Sequence, residues 1–296
     1  MRLHPSDRCL SIWAVKQSSI KEPAITFNPS APLRLRIAAS HFLNSAPLIW
    51  SFLRGSKQGA VELIDAVPSR CARLLAQAEV EVALVPVIEY QRMHNVSLVP
   101  DVCVGSKGEV RSVVLVSKLR DLEQVQSVAL DESSRTSATL VKIVFREFLR
   151  KEPGWKTHSP NLTEMLENSD AALIIGDPGM TFPRDGLTVW DMATLWREHT
   201  GLGFVFAMWM VRNDASALAV TIDFAAARDE GVSLIEDIVE HHKSLVPLPV
   251  EELRSYLTDN IAFSVDESMR AGLQLYFELA HKHGLIESVK PMVFQN

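Results

Sequence analysis

Two polar turns contain the residue types best suited to bind a small anion. Each follows an apolar, strand-like segment at the point where a helix would begin. The turns are Ser40-His41-Phe42-Leu43-Asn44-Ser45 and Asp131-Glu132-Ser133-Ser134-Arg135-Thr136-Ser137. At such a turn the backbone N–H groups point outward, and the helix dipole favours negative charge. Because the turns belong to separate strand–helix units, they predict a small anionic ligand that is held from two sides.

Each candidate residue in these turns also has a structural alternative. Asn44, with Ser45 beside it, either binds the ligand or caps the following helix. Arg135 either pairs with a carboxylate or forms an ion pair at the surface. The hydroxyl side chains of the second turn are expected to supply donors, and at least one of them to cap the second helix. These hydroxyls belong to Ser133, Ser134, Thr136 and Ser137.

Two further pairs of residues are candidates for ligand binding. Ser69 and Arg70 follow Pro68, a residue that is tolerated at the first position of a helix, so a structural role at that helix start is the alternative. Gly176 and Asp177 end a buried-type strand. Asp177 either accepts a hydrogen bond from the ligand or shapes the turn.

The sequence predicts neither a metal ion nor an organic cofactor. Glu89 and His41 have the chemistry of a general acid or base, but a structural role is favoured for both. The other histidines lack metal-ligand spacing. The cysteines, Cys9, Cys71 and Cys103, are odd in number and include no CxxC pair, which argues against a disulfide framework and fits a reducing, cytoplasmic compartment.

The composition is typical of a globular protein whose partner is a small molecule. The chain has 296 residues, of which 47% are hydrophobic and 22% charged, and this length suits one large or two smaller domains. The net charge of -6 and the absence of a Lys/Arg cluster argue against nucleic-acid binding. The longest apolar runs, such as 204–211, are far shorter than a membrane span.

Residues 1–33 differ from the rest of the chain. They mix charged residues with prolines and show no steady periodicity. The apolar run 9–15 is short for a signal-peptide core, and no A-x-A-like site follows it. We expect this segment to be a disordered extension, or the product of a start codon that is assigned too early.

Alternating strand and helix patterns predict an α/β protein with two lobes and a cleft between them. Strand, helix and strand at this spacing imply parallel pairing with a right-handed crossover. We assign residues 34–118 and 213–296 to lobe 1 and residues 119–212 to lobe 2. The strand-to-helix turns of both lobes then face the cleft, where ligands of open α/β sheets bind. The strand-like runs are 35–39, 60–67, 82–85, 111–118, 125–130, 171–175 and 204–211.

A series of short runs resembles the chorismate dehydratase family of the futalosine route to menaquinone. Their order and spacing hold from about residue 34 to residue 290. The runs are Asn44-Ser45-Ala46-Pro47-Leu48, Val67-Pro68-Ser69-Arg70, Ala83-Leu84-Val85-Pro86-Val87-Ile88-Glu89-Tyr90, Arg111-Ser112-Val113, Ser133-Ser134-Arg135-Thr136-Ser137, Ile174-Ile175-Gly176-Asp177 and Trp196-Arg197-Glu198-His199-Thr200-Gly201-Leu202.

The resemblance implies a fold, a reaction and a set of site residues. The fold is that of type II periplasmic binding proteins. The reaction is the removal of water from chorismate by a cytosolic lyase, with the substrate's own enolpyruvyl carboxylate taking the proton. Asn44 and Ser112 are then catalytic, with Asn44 orienting a carboxylate or the leaving hydroxyl. The substrate-binding candidates are Ser45, Ser69, Arg70, Ser133, Ser134, Arg135, Thr136, Ser137, Gly176 and Asp177.

Two alternatives remain open at this point. The 1,4-dihydroxy-6-naphthoate synthase of the same pathway shares the fold, but it requires a catalytic histidine in the later part of the cleft, for which His199 is the one candidate. A receptor that only captures a small carboxylate would require a signal peptide or lipobox, and residues 1–33 offer neither clearly.

Deleting residues 1–30 is expected to leave a folded protein with unchanged chorismate turnover, because this segment carries none of the candidate residues. Steady-state kinetics of the shortened and full-length chains, measured side by side, would check this. A shortened protein that is folded but inactive would show that the segment contributes to the site.

Overall fold

Two five-stranded sheets form the core of the computed structural model, which describes residues 34–295. Residues 1–33, expected to be an extension, lie outside the described range. The first sheet contains β1 Leu35–Ala39, β2 Val61–Asp65, β3 Val82–Pro86, β4 Val96–Ser106 and β10 Phe204–Arg212. The second contains β5 Val113–Ser117, β6 Ser127–Asp131, β7 Gly154–His158, β8 Ala171–Ile175 and β9 Thr188–Asp191.

Helices connect these strands and cover the sheets. None of the helices within residues 34–295 combines the length and apolar character needed to cross a bilayer. The α-helices are Ala46–Arg54, Pro68–Ala76, Glu89–Arg92, Thr136–Ile143, Leu162–Asn168, Pro178–Thr181, Met192–Thr200, Ser216–Ala219, Phe224–Ser233, Ile235–His242, Val250–Ser255 and Glu267–Lys282. The π-helical segments are Val144–Phe148 and Tyr256–Asn260, and the 3-10 turns are Leu43–Ser45, Leu122–Gln124 and Asn213–Ala215.

The two sheets share one topology. Their strand orders are β2-β1-β3-β10-β4 and β7-β6-β8-β5-β9. In the first sheet β1 runs parallel to β2 and β3, whereas β10 runs antiparallel to β3 and β4. In the second sheet β6 runs parallel to β7 and β8, whereas β5 runs antiparallel to β8 and β9. Strands β1 and β6 therefore occupy equivalent positions in the two lobes.

Central strands are apolar along their whole length because both faces of each sheet are covered. Strands β3, β5 and β8 are buried at every residue. The strands predicted at 35–39 and 171–175 are confirmed with the same bounds. Strand β7 was not predicted from the sequence, because it is a polar, mostly half-buried or exposed edge strand without an apolar run.

Two strands belong to the opposite lobe from the one that the sequence suggests. The sequence assigns β5 to lobe 1, within 34–118, but β5 pairs with β8 and β9 in the second sheet. It assigns β10 to lobe 2, within 119–212, but β10 pairs with β3 and β4 in the first sheet. Each predicted lobe boundary is therefore wrong by one strand. Strand β5 belongs to lobe 2, and strand β10 belongs to lobe 1. The apolar pattern identifies a strand, whereas its sheet depends on partners that are distant in the chain.

The helix that follows the first polar turn packs closely against a second helix. Helix Ala46–Arg54 crosses helix Phe224–Ser233 at Gly231, which has no side chain to separate them. A Cβ atom at Gly231 would lie 1.9 Å from the backbone oxygen of Pro47. This contact fixes the start of the first helix, and with it the position of Asn44.

Replacing Gly231 by alanine is expected to lower the free energy of unfolding by about 3 kcal/mol, because the new methyl group meets backbone and the helices must move apart. Urea unfolding would measure this change. The control is Gly108→Ala, whose Cβ atom would meet only the end of Arg197 at 3.7 Å. Equal stability of the two variants would show that the helix crossing tolerates a wider spacing.

Candidate active site in the cleft

The two polar turns predicted from the sequence line one cavity between the lobes. Its volume is about 60 Å³. We call this cavity the cleft. It is lined by Ser40, Phe42, Asn44, Ser45, Pro68, Leu84, Pro86, Val104, Val113, Ser134, Arg135, Thr136, Ser137, Ile175, Gly176, Phe206 and Ala207.

The first turn presents Asn44 at the start of a helix that no side chain caps. Ser45 is the N-cap residue of helix Ala46–Arg54, but its side chain makes no capping hydrogen bond. Instead Ser45 Oγ donates to Asn44 Oδ1 at 3.2 Å and lies 3.0 Å from Ser40 Oγ. The alternative role of Asn44 as a helix cap is therefore wrong. The N–H groups of Leu43, Ser45 and Ala46 are already bonded, to Asp177 Oδ1 and to the backbone oxygens of Phe42 and Leu43. This turn therefore offers a ligand the side chains of Asn44 and Ser45.

The second polar turn also precedes a helix that no side chain caps. Arg135 is the N-cap residue of helix Thr136–Ile143, and no side chain caps this helix. The expectation that a serine or threonine hydroxyl caps it is wrong. Ser134 and Ser137 are buried residues of the cleft lining. Two helix N-termini, one from each lobe, thus bring their positive dipole ends to the same cleft.

Ser133 does not line the cleft, because its hydroxyl is already paired. Its Oγ donates to Asp131 Oδ1 at 2.6 Å, and its backbone N–H donates to the same oxygen at 2.8 Å. Burial raises the pKa of Asp131, and these hydrogen bonds partly offset that effect. Ser133 therefore shapes the turn that presents the neighbouring residues.

Arg135 lines the cleft but is paired with a buried glutamate of the other lobe. Its Nη1 lies 2.8 Å from Glu89 Oε2, and Glu89 Oε1 lies 2.7 Å from Arg92 Nη1. Glu89 is only 3% exposed, so it is held as an ion-pair partner of both arginines. The favoured structural role of Glu89 agrees with this geometry. Among the described residues that line the cleft, Arg135 is the one with a charged side chain.

Ser112 lies outside the cleft lining and is fully buried. Its Oγ accepts a hydrogen bond from Tyr256 Oη at 2.7 Å. Arg111, the residue before Ser112, has a positive φ of 61° and donates its backbone N–H to Asp191 at 2.6 Å. This strained position, which non-glycine residues adopt uncommonly, aims Ser112 at Tyr256.

Gly176 and Asp177, at the end of β8 in lobe 2, contact the first polar turn in lobe 1. Gly176 has a positive φ of 69°, and a Cβ atom there would lie 3.0 Å from the ring of Phe42. Asp177 lies outside the cleft lining, and its Oδ1 accepts a hydrogen bond from the N–H of Leu43 at 3.1 Å. Burial raises the pKa of Asp177 to about 7. The structure thus gives Asp177 a contact between the lobes.

The remaining candidates lie beside the cleft. Ser69 and Arg70 follow the lining residue Pro68 in helix Pro68–Ala76, and neither lines the cleft. His41 forms an ion-pair contact of 2.7 Å with Asp65, and His199 stacks on Phe148 with ring centroids 4.3 Å apart. Within residues 34–295, no three His, Cys, Asp or Glu side chains are grouped to hold a metal ion.

Sequence reasoning missed the apolar walls and the tyrosine. Phe42 stands inside the first polar turn, so its position alone could have identified it as a lining residue. Phe206 comes from β10, which the sequence assigns to the wrong lobe. Tyr256 is far from both turns along the chain, and no local signal connects it with them.

The fold is that of periplasmic binding proteins. A structurally characterised protein from Archaeoglobus fulgidus superposes with a TM-score of 0.67 at 19% identity, covering 86% of this chain and 98% of that protein. The periplasmic aliphatic sulphonate binding protein SsuA from Escherichia coli gives 0.56 at 15% identity, covering 90% and 95%. These two likenesses show the fold alone.

Sequence comparison narrows this class to one family. The chain belongs to the menaquinone biosynthesis family, which it matches over residues 35–282. It is also 30% identical to the chorismate dehydratase of Thermus thermophilus over 256 residues, covering 80% of this chain and 92% of that protein. The family resemblance noted in the sequence is thereby confirmed.

Replacing Asp177 by asparagine is expected to stabilise the protein above pH 7 and to have little effect near pH 4. Burial lifts the pKa of this carboxyl from 3.8 to about 7, so the folded state keeps the proton more tightly than the unfolded state. As the pH rises from 4 to 7, the unfolded chain releases its proton first, and the wild type loses stability relative to Asp177→Asn.

Urea unfolding of both proteins between pH 4.5 and 8.5 would measure this difference, which should grow to roughly 2–4 kcal/mol because each pKa unit is worth about 1.4 kcal/mol. The asparagine keeps an acceptor for the N–H of Leu43. Asp185→Asn, at an exposed carboxylate, is the control for removal of a charge. The prediction is contradicted if the difference in free energy of unfolding between Asp177→Asn and the wild type stays constant from pH 4.5 to 8.5.

Proposed function

We propose that this protein is a chorismate dehydratase, a lyase that converts chorismate to 3-[(1-carboxyvinyl)oxy]benzoate and water in the futalosine route to menaquinone. The observation that carries the proposal is that two helix N-termini, one from each lobe, face one cleft with the polar side chains of Asn44, Ser45, Ser134 and Ser137. Membership of the menaquinone biosynthesis family and the similarity to the Thermus thermophilus enzyme support it.

The charge of chorismate suits this cleft. The substrate carries two carboxylates on a small carbocycle, so that one can accept from the side chains of the first turn and the other from the hydroxyl and N–H groups of the second. The apolar walls, Phe42, Ile175 and Phe206, match the faces of the ring. Arg135 adds one positive charge, which Glu89 holds in place. Neutral donors and helix ends thus carry most of the binding.

The reaction removes the C4 hydroxyl and the C3 proton of the ring. The carbanion formed at C3 is conjugated with the ring carboxylate, so negative charge builds up there before the C4–O bond breaks. Loss of hydroxide, which takes up a proton to become water, then makes the ring aromatic. Fixed donors in a water-poor cleft stabilise the developing charge better than water does, because they need no reorganisation.

The proton acceptor in this proposal is the substrate itself. Among residues 34–295, the side chains that line the cleft include no aspartate, glutamate, histidine or lysine. The enolpyruvyl carboxylate lies within the same molecule as the C3 proton, so an enforced conformation brings base and proton together at high effective concentration. The protein's contribution is then to hold this conformation and to stabilise the ring carboxylate.

We assign roles to the site residues on this basis. Asn44 donates to a substrate carboxylate or to the leaving hydroxyl oxygen, while Ser134 and Ser137 bind the other carboxylate together with the N–H groups of their helix. Thr136 positions this turn, because its Oγ1 accepts from the N–H of Ile88 at 3.3 Å. Ser112 acts from behind Asn44, since it is fully buried.

We further propose that the protein works in the cytoplasm on a free small molecule and requires no cofactor. The thiols of Cys71 and Cys103 are both buried and unpaired, a state that suits a reducing compartment. Burial raises the pKa of Cys71 to about 12, so this thiol stays protonated and acts as a small apolar side chain.

Incubation of the purified full-length protein with chorismate, followed by chromatography, tests the proposed function. Formation of 3-[(1-carboxyvinyl)oxy]benzoate in step with chorismate loss is expected. Binding of chorismate without turnover would indicate a solute-binding protein instead. If chorismate is neither bound nor consumed, the proposal is contradicted and the sister enzyme, 1,4-dihydroxy-6-naphthoate synthase, is favoured.

Replacing Asn44 by alanine is expected to reduce kcat by about 100-fold or more, the usual cost of losing one donor to a developing oxyanion. Steady-state kinetics with chorismate and thermal melting of the variant would check both activity and fold. Asn168→Ala, at an exposed site on helix Leu162–Asn168, is the matched control. Wild-type kcat in Asn44→Ala would refute the assigned role.

A further inference from the structure

A buried tyrosine near the end of the chain bonds to the main chain of the second polar turn. Tyr276, in helix Glu267–Lys282, has no exposed surface, and its hydroxyl donates to the backbone oxygen of Thr136 at 2.9 Å. Thr136 is the first residue of helix Thr136–Ile143 and lines the cleft. The contact therefore joins a side chain that is distant in sequence to the peptide bond at which this helix begins.

The peptide bond between Thr136 and Ser137 has its carbonyl end bonded to the tyrosine and its N–H end unused. Because a trans peptide is planar, its C=O and N–H groups point in opposite directions. The N–H of Ser137 is one of the four at a helix start that lack an intrahelical acceptor, and it has no partner within residues 34–295. Since Ser137 is a buried residue of the cleft lining, this N–H is a donor available to a ligand there.

A hydrogen bond to the carbonyl acts on the N–H of the same peptide in two ways. It fixes the direction of the peptide plane, and it polarises the peptide, which strengthens the N–H as a donor. Burial raises the pKa of Tyr276 above its ordinary value, so the phenol keeps its proton and remains a donor around neutral pH. Thr136 has a second anchor, because its Oγ1 accepts from the N–H of Ile88 at 3.3 Å. The first peptide of the helix is therefore held in one orientation.

We propose that Tyr276 is a positioning residue, which directs the N–H of Ser137 at a substrate carboxylate and strengthens it as a donor. This inference rests on the proposed function. The tyrosine itself lies outside the cleft lining, so it acts on the substrate only through the peptide that it bonds.

Tyr276→Phe tests the proposal because it removes only the hydroxyl. The ring, which packs edge-on against Trp196 and Phe204, is retained. We expect kcat/KM for chorismate to fall about fivefold, the effect of one neutral hydrogen bond. Thermal melting would establish that the variant is folded under the conditions of the assay.

A spectroscopic measurement reports on the peptide itself. Thr136-Ser137 is the one Thr–Ser step in the sequence. Protein labelled with ¹³C at the threonine carbonyls and with ¹⁵N at serine therefore gives a single cross-peak, which connects the carbonyl of Thr136 with the amide of Ser137. The carbonyl signal should shift in Tyr276→Phe, because this oxygen loses a donor.

The same cross-peak tests the wild type without any substitution. Addition of 3-[(1-carboxyvinyl)oxy]benzoate, which carries both carboxylates and does not turn over, should shift the amide signal of Ser137, because a carboxylate then accepts from this N–H. This titration decides the outcome even if Tyr276→Phe does not fold.

Tyr90→Phe is the matched control. Tyr90 is also buried, and its hydroxyl also donates to a backbone oxygen, that of Pro291 at 2.7 Å. This variant should lose stability while kcat/KM and the Thr136-Ser137 cross-peak remain as in the wild type. It therefore separates the loss of a buried hydroxyl from the effect on this peptide.

An unchanged carbonyl signal in Tyr276→Phe would overturn the proposal, even with lower activity, because the tyrosine would then act by another route. A shifted signal with wild-type kcat/KM would also overturn it, as would an amide of Ser137 that does not respond to the benzoate in the wild type. If the wild type fails to convert chorismate, the proposed function fails, while the carbonyl signal still decides whether Tyr276 holds this peptide.

Discussion

The start of two helices at one cleft, with neither capped by a side chain, is the constraint on which the rest of the structure depends. Unpaired N–H groups at a helix N-terminus are costly to bury unless a side chain, water or ligand accepts from them. Here the serines beside both N-termini bond elsewhere or line the cleft. The second turn therefore keeps unused N–H donors, whereas the first turn offers the side chains of Asn44 and Ser45, and an anion with two carboxylates accepts from both lobes at once.

The lobes must be held in register for this arrangement to work, and polar contacts across the cleft do so. The N–H of Leu43 donates to Asp177, and the Arg135 guanidinium pairs with Glu89. From the C-terminal helix, Tyr276 Oη donates to the backbone oxygen of Thr136 at 2.9 Å. These bonds are buried or partly buried, where a low local dielectric strengthens them. They are made to the same two turns that line the cleft, so lobe position and site geometry are coupled.

A neutral cleft also explains how one fold can serve both binding and catalysis. A ring of fixed charges would hold the substrate dianion as tightly as the transition state, and such uniform binding does not raise kcat. Oriented N–H and O–H dipoles that point at the atoms where charge develops stabilise the transition state more than the bound substrate. The hydrogen-bonded pairs Ser45–Asn44 and Tyr256–Ser112 provide such oriented dipoles, and their members come from the first lobe, the crossing segment and the C-terminal helices.

The sequence by itself determined the α/β class, the bounds of β1 and β8, and the meeting of the two polar turns. These features follow from local apolar patterns and from the rule that parallel strands end at one edge. Only the tertiary structure decided that β5 and β10 exchange lobes, that Ser133 and Asp177 are bonded away from the cleft, and that Tyr256 donates to Ser112. Each of these features depends on contacts between residues that are distant in the chain. Such contacts form only when strand pairing and burial complete the packed core.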